Sequence, residues 1–235
     1  MTETLFREDA YLQSCEATVT GVSERGVVLN RTVFYPQGGG QPGDRGVLES
    51  PDGRRVVISD TLRGDQGDIV HLPHPDTPPL SVGEQVNATV DWEQRYRHMR
   101  MHTCLHLLCS LVDAGVTGGA VGSDRGRLDF DLPEATLDKA DLSEALNGLV
   151  ARDLPVLARW ISVQTLAERP ELVRTMSVQP PMDQGDVRLI DITGVDLQPC
   201  GGTHVARTGE IGPVVVSKIE KKSRHNRRVV VSFVG

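Results

Sequence analysis

The chain has no run of 18 or more apolar residues, so nothing in it reads as a membrane-spanning helix. Its start, Met1-Thr2-Glu3-Thr4-Leu5-Phe6-Arg7-Glu8-Asp9, carries acids where a secretory leader would be basic and then apolar, so a cytoplasmic protein without membrane contact is expected. Cysteine is scarce, with four in 235 residues, and Cys104 and Cys109 sit beside leucines. That pattern excludes a disulfide framework, and Cys15, Cys104 and Cys109 are expected as reduced structural thiols. Basic residues are not in excess either. The formal net charge is −7, which by itself argues weakly against a nucleic-acid partner. Internal repeats and low-complexity tracts are also missing, and at this length the chain can bury a substantial core in one large or two small domains.

Two short pairs stand out against these absences, His102-Thr-Cys-Leu-His106 and Cys200-Gly-Gly-Thr-His204. Four residues advance a helix by slightly more than one turn, so His102 and His106 share a face. The surrounding stretch from Asp91 to Val112 has no Gly or Pro and places Met101, Leu105, Leu108 and Val112 at helical intervals. In the second pair, Gly201-Gly202 would be poor helix interior but allow a tight loop to bring Cys200 and His204 to one point. Three imidazoles and a thiolate suit Zn²⁺ better than oxygen-seeking Mg²⁺ or Ca²⁺, with Fe²⁺ and Co²⁺ also open. Thr103 stands where a His-Glu-x-x-His protease helix would carry its general base, and peptide hydrolysis loses its support.

The first third of the chain has the rhythm of short strands at 16–22, 26–29, 32–35, 46–49, 54–59, 68–71 and 85–90, separated by Gly, Pro, Asp and Ser. That predicts a small antiparallel β-barrel over residues 1–90. From 91 to 235 the pattern mixes the helix at 91–112, a glycine-rich connection, a strand at 126–131 and a helix at 137–152. Further strands are expected at 155–163, 187–192, 213–219 and 228–234. The fold class is α+β, with helices packed on an antiparallel sheet in this second domain. Charge is uneven: residues 218–228 hold six basic residues and one acid, and Arg95, Arg97 and Arg100 precede His102. Such strips read equally as a local polyanion site or as a solvated face.

Together, His102-Thr-x-x-His106-Leu-Leu, Cys200-Gly-Gly-Thr-His204-Val with Glu210-Ile-Gly after it, and Phe34-Tyr-Pro-Gln-Gly-Gly-Gly-Gln-Pro-Gly-Asp-Arg-Gly46 resemble the editing domain of alanyl-tRNA synthetase. The resemblance is closer still to its free-standing relatives, the AlaX family, and covers nearly the whole chain. It implies a trans-editing hydrolase, a carboxylic ester hydrolase that deacylates seryl-tRNA(Ala) and possibly glycyl-tRNA(Ala), with no aminoacylation activity and no obligate protein partner. The alternatives are a zinc-stabilised tRNA-binding module without catalysis, or a deacylase for another mischarged tRNA. It further implies one Zn²⁺ on His102, His106 and Cys200, with His204 a weaker ligand or an acid/base. Thr103 becomes a candidate for the serine hydroxyl, with the alternative that it bonds its own helix backbone. Gly38, Gly39, Gly40 and Gln41 become a candidate substrate loop or, equally, a turn needing positive φ. Lys218, Lys221, Lys222, Arg224, Arg227 and Arg228, with Arg95, Arg97 and Arg100, become candidate phosphate contacts. The chain departs from the family pattern at Gly118-Gly119-Ala-Val-Gly-Ser-Asp124, where a polar Ser or Asn followed by Gln is common, which bears on serine-versus-glycine preference.

Overall fold

The structure is a computed structural model and describes residues 1–133, 137–174, 182–183 and 185–234. The chain forms two compact units, Met1–Tyr96 and Arg97–Gly235. No helix among the described residues is long and apolar enough to cross a membrane.

The first unit contains β1 (Glu3–Thr4), β2 (Ser14–Ser23), β3 (Gly26–Leu29), β4 (Arg31–Thr32), β5 (Gly46–Glu49), β6 (Arg55–Arg63), β7 (Ile69–Pro73) and β8 (Gln85–Val90). Six of them close an antiparallel barrel in the order β2-β3-β7-β6-β5-β8, as the sequence predicts. Strict alternation drives closure: β8 buries Val86, Ala88 and Val90 and exposes the residues between them. These side chains meet Val19, Leu29, Phe34, Leu48, Val56 and Ile58 in one apolar core. The strand expected over 32–35 stops at Thr32. The Phe34 N–H donates to Thr32 Oγ1 at 3.0 Å and the Tyr35 N–H donates to Asp44 Oδ2 at 2.5 Å, so side chains take the backbone bonds a ladder would use.

Arg95 is fully buried in this unit, its Nε donating to both Asp44 carboxylate oxygens and its Nη1 to Ala10 O. A guanidinium sealed against a carboxylate has no surface to offer a phosphate, which removes Arg95 from the expected phosphate contacts.

The helix α1 (Trp92–Leu111) leads into the second unit, followed by β9 (Val116–Ala120), β10 (Arg125–Asp131), α2 (Lys139–Ala151), β11 (Val156–Ser162) and α3 (Val163–Ala167). Then come β12 (Met182–Asp183), β13 (Asp186–Ile192), β14 (Asp196–Pro199), β15 (Val214–Lys221) and β16 (Asn226–Phe233). One sheet runs β15-β16-β10-β9; in the other, β13 pairs with β11 on one side and with β12 and β14 on the other. Asp138 caps α2 by accepting from the N–H groups of Ala140 and Asp141. Asn147 and Ser143 of α2 hydrogen-bond Val214 and Val216, covering the β15 edge. The glycine-rich connection after α1 proves to be the strand β9, and 196–199, unassigned from the sequence, is β14. The mixed α+β class of this unit agrees with the sequence expectation.

Candidate metal centre

The α1 segment inside the second unit is buried almost throughout, with Met99, Met101, Cys104, Leu107 and Leu108 fully enclosed. It therefore carries its two histidines on an immobilised scaffold. The rings of His102 and His106 lie one turn apart, with centroids separated by 5.4 Å. Cys200 follows β14 directly, and the loop after it is held by Arg188 of β13, whose Nη1 donates to the carbonyls of Cys200 and Gly202 at 2.9 Å each. This brings the His204 ring to 4.3 Å from that of His102 and 4.8 Å from that of His106, centroid to centroid.

The ligand atoms of His102, His106, Cys200 and His204 all lie within 4.8 Å of one another. Cys200 Sγ is 3.5 Å from His102 Nε2 and 3.3 Å from His204 Nε2. Zinc bond lengths of about 2.0–2.1 Å to nitrogen and 2.3 Å to sulfur, at tetrahedral angles, put such atoms about 3.6 Å apart. The donor set, its spacing and its burial thus fit a single metal ion, and His204 stands with the other three.

Neighbouring residues orient the rings. His106 Nδ1 lies 2.8 Å from Asp196 Oδ2, and Gln198 donates to the same carboxylate oxygen at 2.8 Å. The carboxylate holds the proton on Nδ1 and leaves Nε2 for the cluster. Thr103 does the corresponding job for His204, with its Oγ1 3.1 Å from His204 Nδ1. Burial by itself pushes the Cys200 thiol up, but the imidazoles of His102 and His204 hold it well below the ordinary thiol range, which favours the metal-binding thiolate. Burial and the neighbouring His102 lower the His204 imidazole well below its usual value. Burial opposes charge on His106 too, yet its bonds to Asp196 and Cys200 lift it to about 10.

Asp196, Gln198 and Arg188 did not emerge from the sequence. A signal was present, because Asp196, Gln198 and Cys200 alternate along one extended segment and so face one way. Gly194 and Pro199 concealed the strand.

The other expected site residues are distributed as follows. Thr103 is fully buried; its hydroxyl donates to Met99 O at 3.0 Å and accepts from the Val205 N–H at 3.3 Å, besides facing His204. It bonds its own helix and positions a histidine, with no hydrogen bond left for a substrate hydroxyl. Gly38 and Gln41 exchange backbone hydrogen bonds at 3.1 and 2.9 Å around Gly39 and Gly40, whose φ values are 56° and 81°. That is a tight turn of the first unit whose positive φ values favour glycine. Arg97 donates to Asp124 at 2.7 Å, and Arg100 donates to Ile211 O and stacks over Phe233 at 4.4 Å. Lys218 and Lys222 both pair with Glu220, whose carboxyl they hold below the usual range. Arg228 pairs with Asp129, and Arg227 donates to the carbonyls of Ser223 and Pro133. Lys221 and Arg224 are exposed near the tip of the β15–β16 hairpin.

Comparison with known proteins agrees with this architecture. The family model of class II (A) tRNA synthetases matches residues 5–94, and that of the threonyl and alanyl tRNA synthetase second additional domain matches 187–230, which include Cys200 and His204. The chain is 36% identical to the alanyl-tRNA editing protein AlaX-M of Methanosarcina mazei, covering 100% of this chain and 97% of that protein. It is 33% identical to AlaX-M of Saccharolobus solfataricus, over 97% of this chain and 98% of that one. Against the alanine–tRNA ligase of Sulfurisphaera tokodaii the identity is also 33%, over 94% of this chain but only 25% of the ligase. With full-length similarity, both family models and the His/Cys cluster in agreement, the chain belongs to the AlaX-M family of alanyl-tRNA editing proteins.

Proposed function

We propose that this protein is a trans-editing hydrolase that cleaves the ester joining a wrong amino acid, serine and secondarily glycine, to tRNA(Ala) in the cytoplasm. The observation that carries the reading is the convergence of His102, His106, Cys200 and His204 in a chain matching editing proteins over its full length. The need for such an activity is physical. A synthetase pocket built for alanine cannot exclude glycine by size, and it rejects an added hydroxyl by only about a hundredfold, so a second site must correct the error.

The four residues would hold one zinc ion. When bound, zinc supplies Lewis acidity toward the ester carbonyl and lowers the pKa of a water. The chain's own contribution is orientation. Asp196 keeps the proton of His106 on Nδ1, Thr103 fixes the His204 ring, and Arg188 holds the Cys200–Gly202 carbonyls in place. Asp196 is committed to His106 and so does not serve as a general base. That suits an ester, whose ribose leaving group needs less assistance than an amide nitrogen.

Purified protein should deacylate seryl-tRNA(Ala) faster than alanyl-tRNA(Ala), and His102→Ala or Cys200→Ala should abolish the activity. A rate unaffected by both substitutions would overturn the zinc mechanism. A second reading has its own support, because four donors complete a tetrahedron and a closed site is typical of structural zinc. If the ion were only a staple, chelation would melt the protein and no turnover would be found. For the hydrolase, chelation should stop turnover while the circular dichroism spectrum is retained.

A further inference from the structure

Trp160 is the most conspicuous exposed aromatic side chain outside the metal centre. It lies on β11 and is 48% exposed. A singly exposed apolar side chain is common on a protein surface, so exposure alone assigns Trp160 no role. Its place in the sheet gives it meaning. Trp160 pairs in register with Arg188 of β13, and on the other side of β13 the Cys200 N–H donates to Arg188 O at 3.1 Å. Residues paired across strands project from the same face, so Trp160, Arg188 and Cys200 form one row across the sheet.

The parity of the strands identifies that face. Val187 and Leu189 point the other way, into a cluster with Leu166 and Leu172, against which Ile161 and Leu197 pack. The alternate set, Arg188 and Gln198 with Asp196 and Cys200, serves the metal cluster. Trp160 belongs to this alternate set. Two strand spacings of about 4.8 Å place its backbone about 10 Å from that of Cys200. Among the described residues β13 is the one strand in the sheet beside β11; the start of its outer edge is met by Ala206, to whose carbonyl the Val156 N–H donates at 2.9 Å, and farther along Trp160 is exposed.

We propose that Trp160 is a stacking platform for the terminal nucleobase of the aminoacylated strand. The proposal rests on the hydrolase reading, which puts the ester carbonyl at the His/Cys cluster. In an aminoacyl nucleoside the base is separated from that carbonyl by one ribose, the kind of span the Trp160–Cys200 row offers. An indole face accepts any base, because stacking needs only the π-surface and the shedding of water. Register would come from the ester, and Trp160 would supply affinity for the single-stranded end.

The test uses the chain's two tryptophans. With Trp92→Phe, Trp160 becomes the sole tryptophan, excited selectively at the red edge where the three tyrosines do not absorb. An uncharged acceptor-stem minihelix ending in CCA should quench its emission saturably, and the same minihelix with an abasic terminal nucleotide should bind with roughly tenfold or greater loss and little quenching. AMP alone should quench weakly. In the kinetic arm, Trp160→Ala should raise KM for seryl-minihelix by tenfold or more, while Trp160→Phe retains most of the affinity. Thermal melts and metal content of both variants should match those of the parent. Equal quenching by the intact and abasic ends would overturn the proposal, and so would an unchanged KM for Trp160→Ala. Emission that shifts with protein concentration in the absence of RNA, together with loss of a dimer in Trp160→Ala, would assign the face to a second copy instead. The two readings fail separately. Quenching by the CCA end without deacylation refutes the hydrolase and keeps the platform, whereas deacylation without quenching does the reverse.

Discussion

Asp196 decides which nitrogen of His106 faces the cluster, and that makes it the most consequential residue outside the four donors. Its carboxylate is almost fully buried, 2.8 Å from Nδ1, and is shared with Gln198. Partners of this kind typically account for 10- to 100-fold in metal affinity. Asp196→Ala should therefore weaken zinc binding by about that factor in competition with a chromophoric chelator, and Asp196→Asn should fall between. An unchanged affinity would mean that the ring is held by packing alone. A second histidine tests the first unit. His71 is wholly buried between Thr32 Oγ1 and Val27 O, and burial lowers its imidazole from 6.5 to about 4. The unfolded chain takes up the proton first. The stabilisation is thus complete above about pH 6.5 and is lost as pH falls toward 4, amounting to about 3 kcal/mol. Urea unfolding at pH 7.5 and 4.5 should show this loss in the wild type in excess of that in His71→Gln, which cannot titrate.

The element on which the centre depends is α1, and its position is set by a glycine on a strand. A Cβ on Gly126 of β10 would lie 2.8 Å from both Cγ and Sδ of Met101 and 3.1 Å from Leu105 Cδ1. Helix and sheet approach too closely there for any side chain. Gly126→Ala should cost about 1–3 kcal/mol by overpacking, read as a lower Tm, because Met101 and Leu105 lie in a buried helix with little room to yield. A melt unchanged within error would show that α1 can shift. The helix itself was legible from spacing, since its Gly- and Pro-free run needs only local information. The strand β9 was not. Gly118 and Gly119 read as a connection, yet they pair with Asp129 and Leu128 of β10, where a Cβ on Gly118 would already be 3.4 Å from Asp129 Oδ2. Strand identity here comes from a partner, which a local pattern does not register.

For the whole molecule, charge placement matters more than the net value of −7. Of the basic residues at 218–228, Lys218 and Lys222 are tied to Glu220 and Arg228 to Asp129, while Lys221 and Arg224 stand exposed near the hairpin tip. If this hairpin meets tRNA phosphates, Lys221→Ala and Arg224→Ala should each reduce the slope of log K against log salt by nearly one. Arg228→Ala should chiefly lower stability, by leaving the partly buried Asp129 short of a partner. Filter binding across a salt series with thermal melts checks both, and a larger slope change for Arg228→Ala would reverse the assignment.

The sequence alone indicated the barrel-then-α+β order, a helix over 91–112 that the structure draws at Trp92–Leu111, and the His102/His106 and Cys200/His204 pairs, with the part played by His204 left open. Period-2 alternation, the four-residue histidine spacing and the Cys-x3-His loop are all properties of neighbouring residues. Only the tertiary structure decided the rest: the sealing of Arg95 against Asp44, the turning of Thr103 toward His204, the meeting of Asp196 with His106 across 90 residues, and the alignment of Trp160 with Cys200. Each of these depends on strand register and on helix-to-sheet packing between distant segments, where a shift of one residue would turn the side chain to the opposite face.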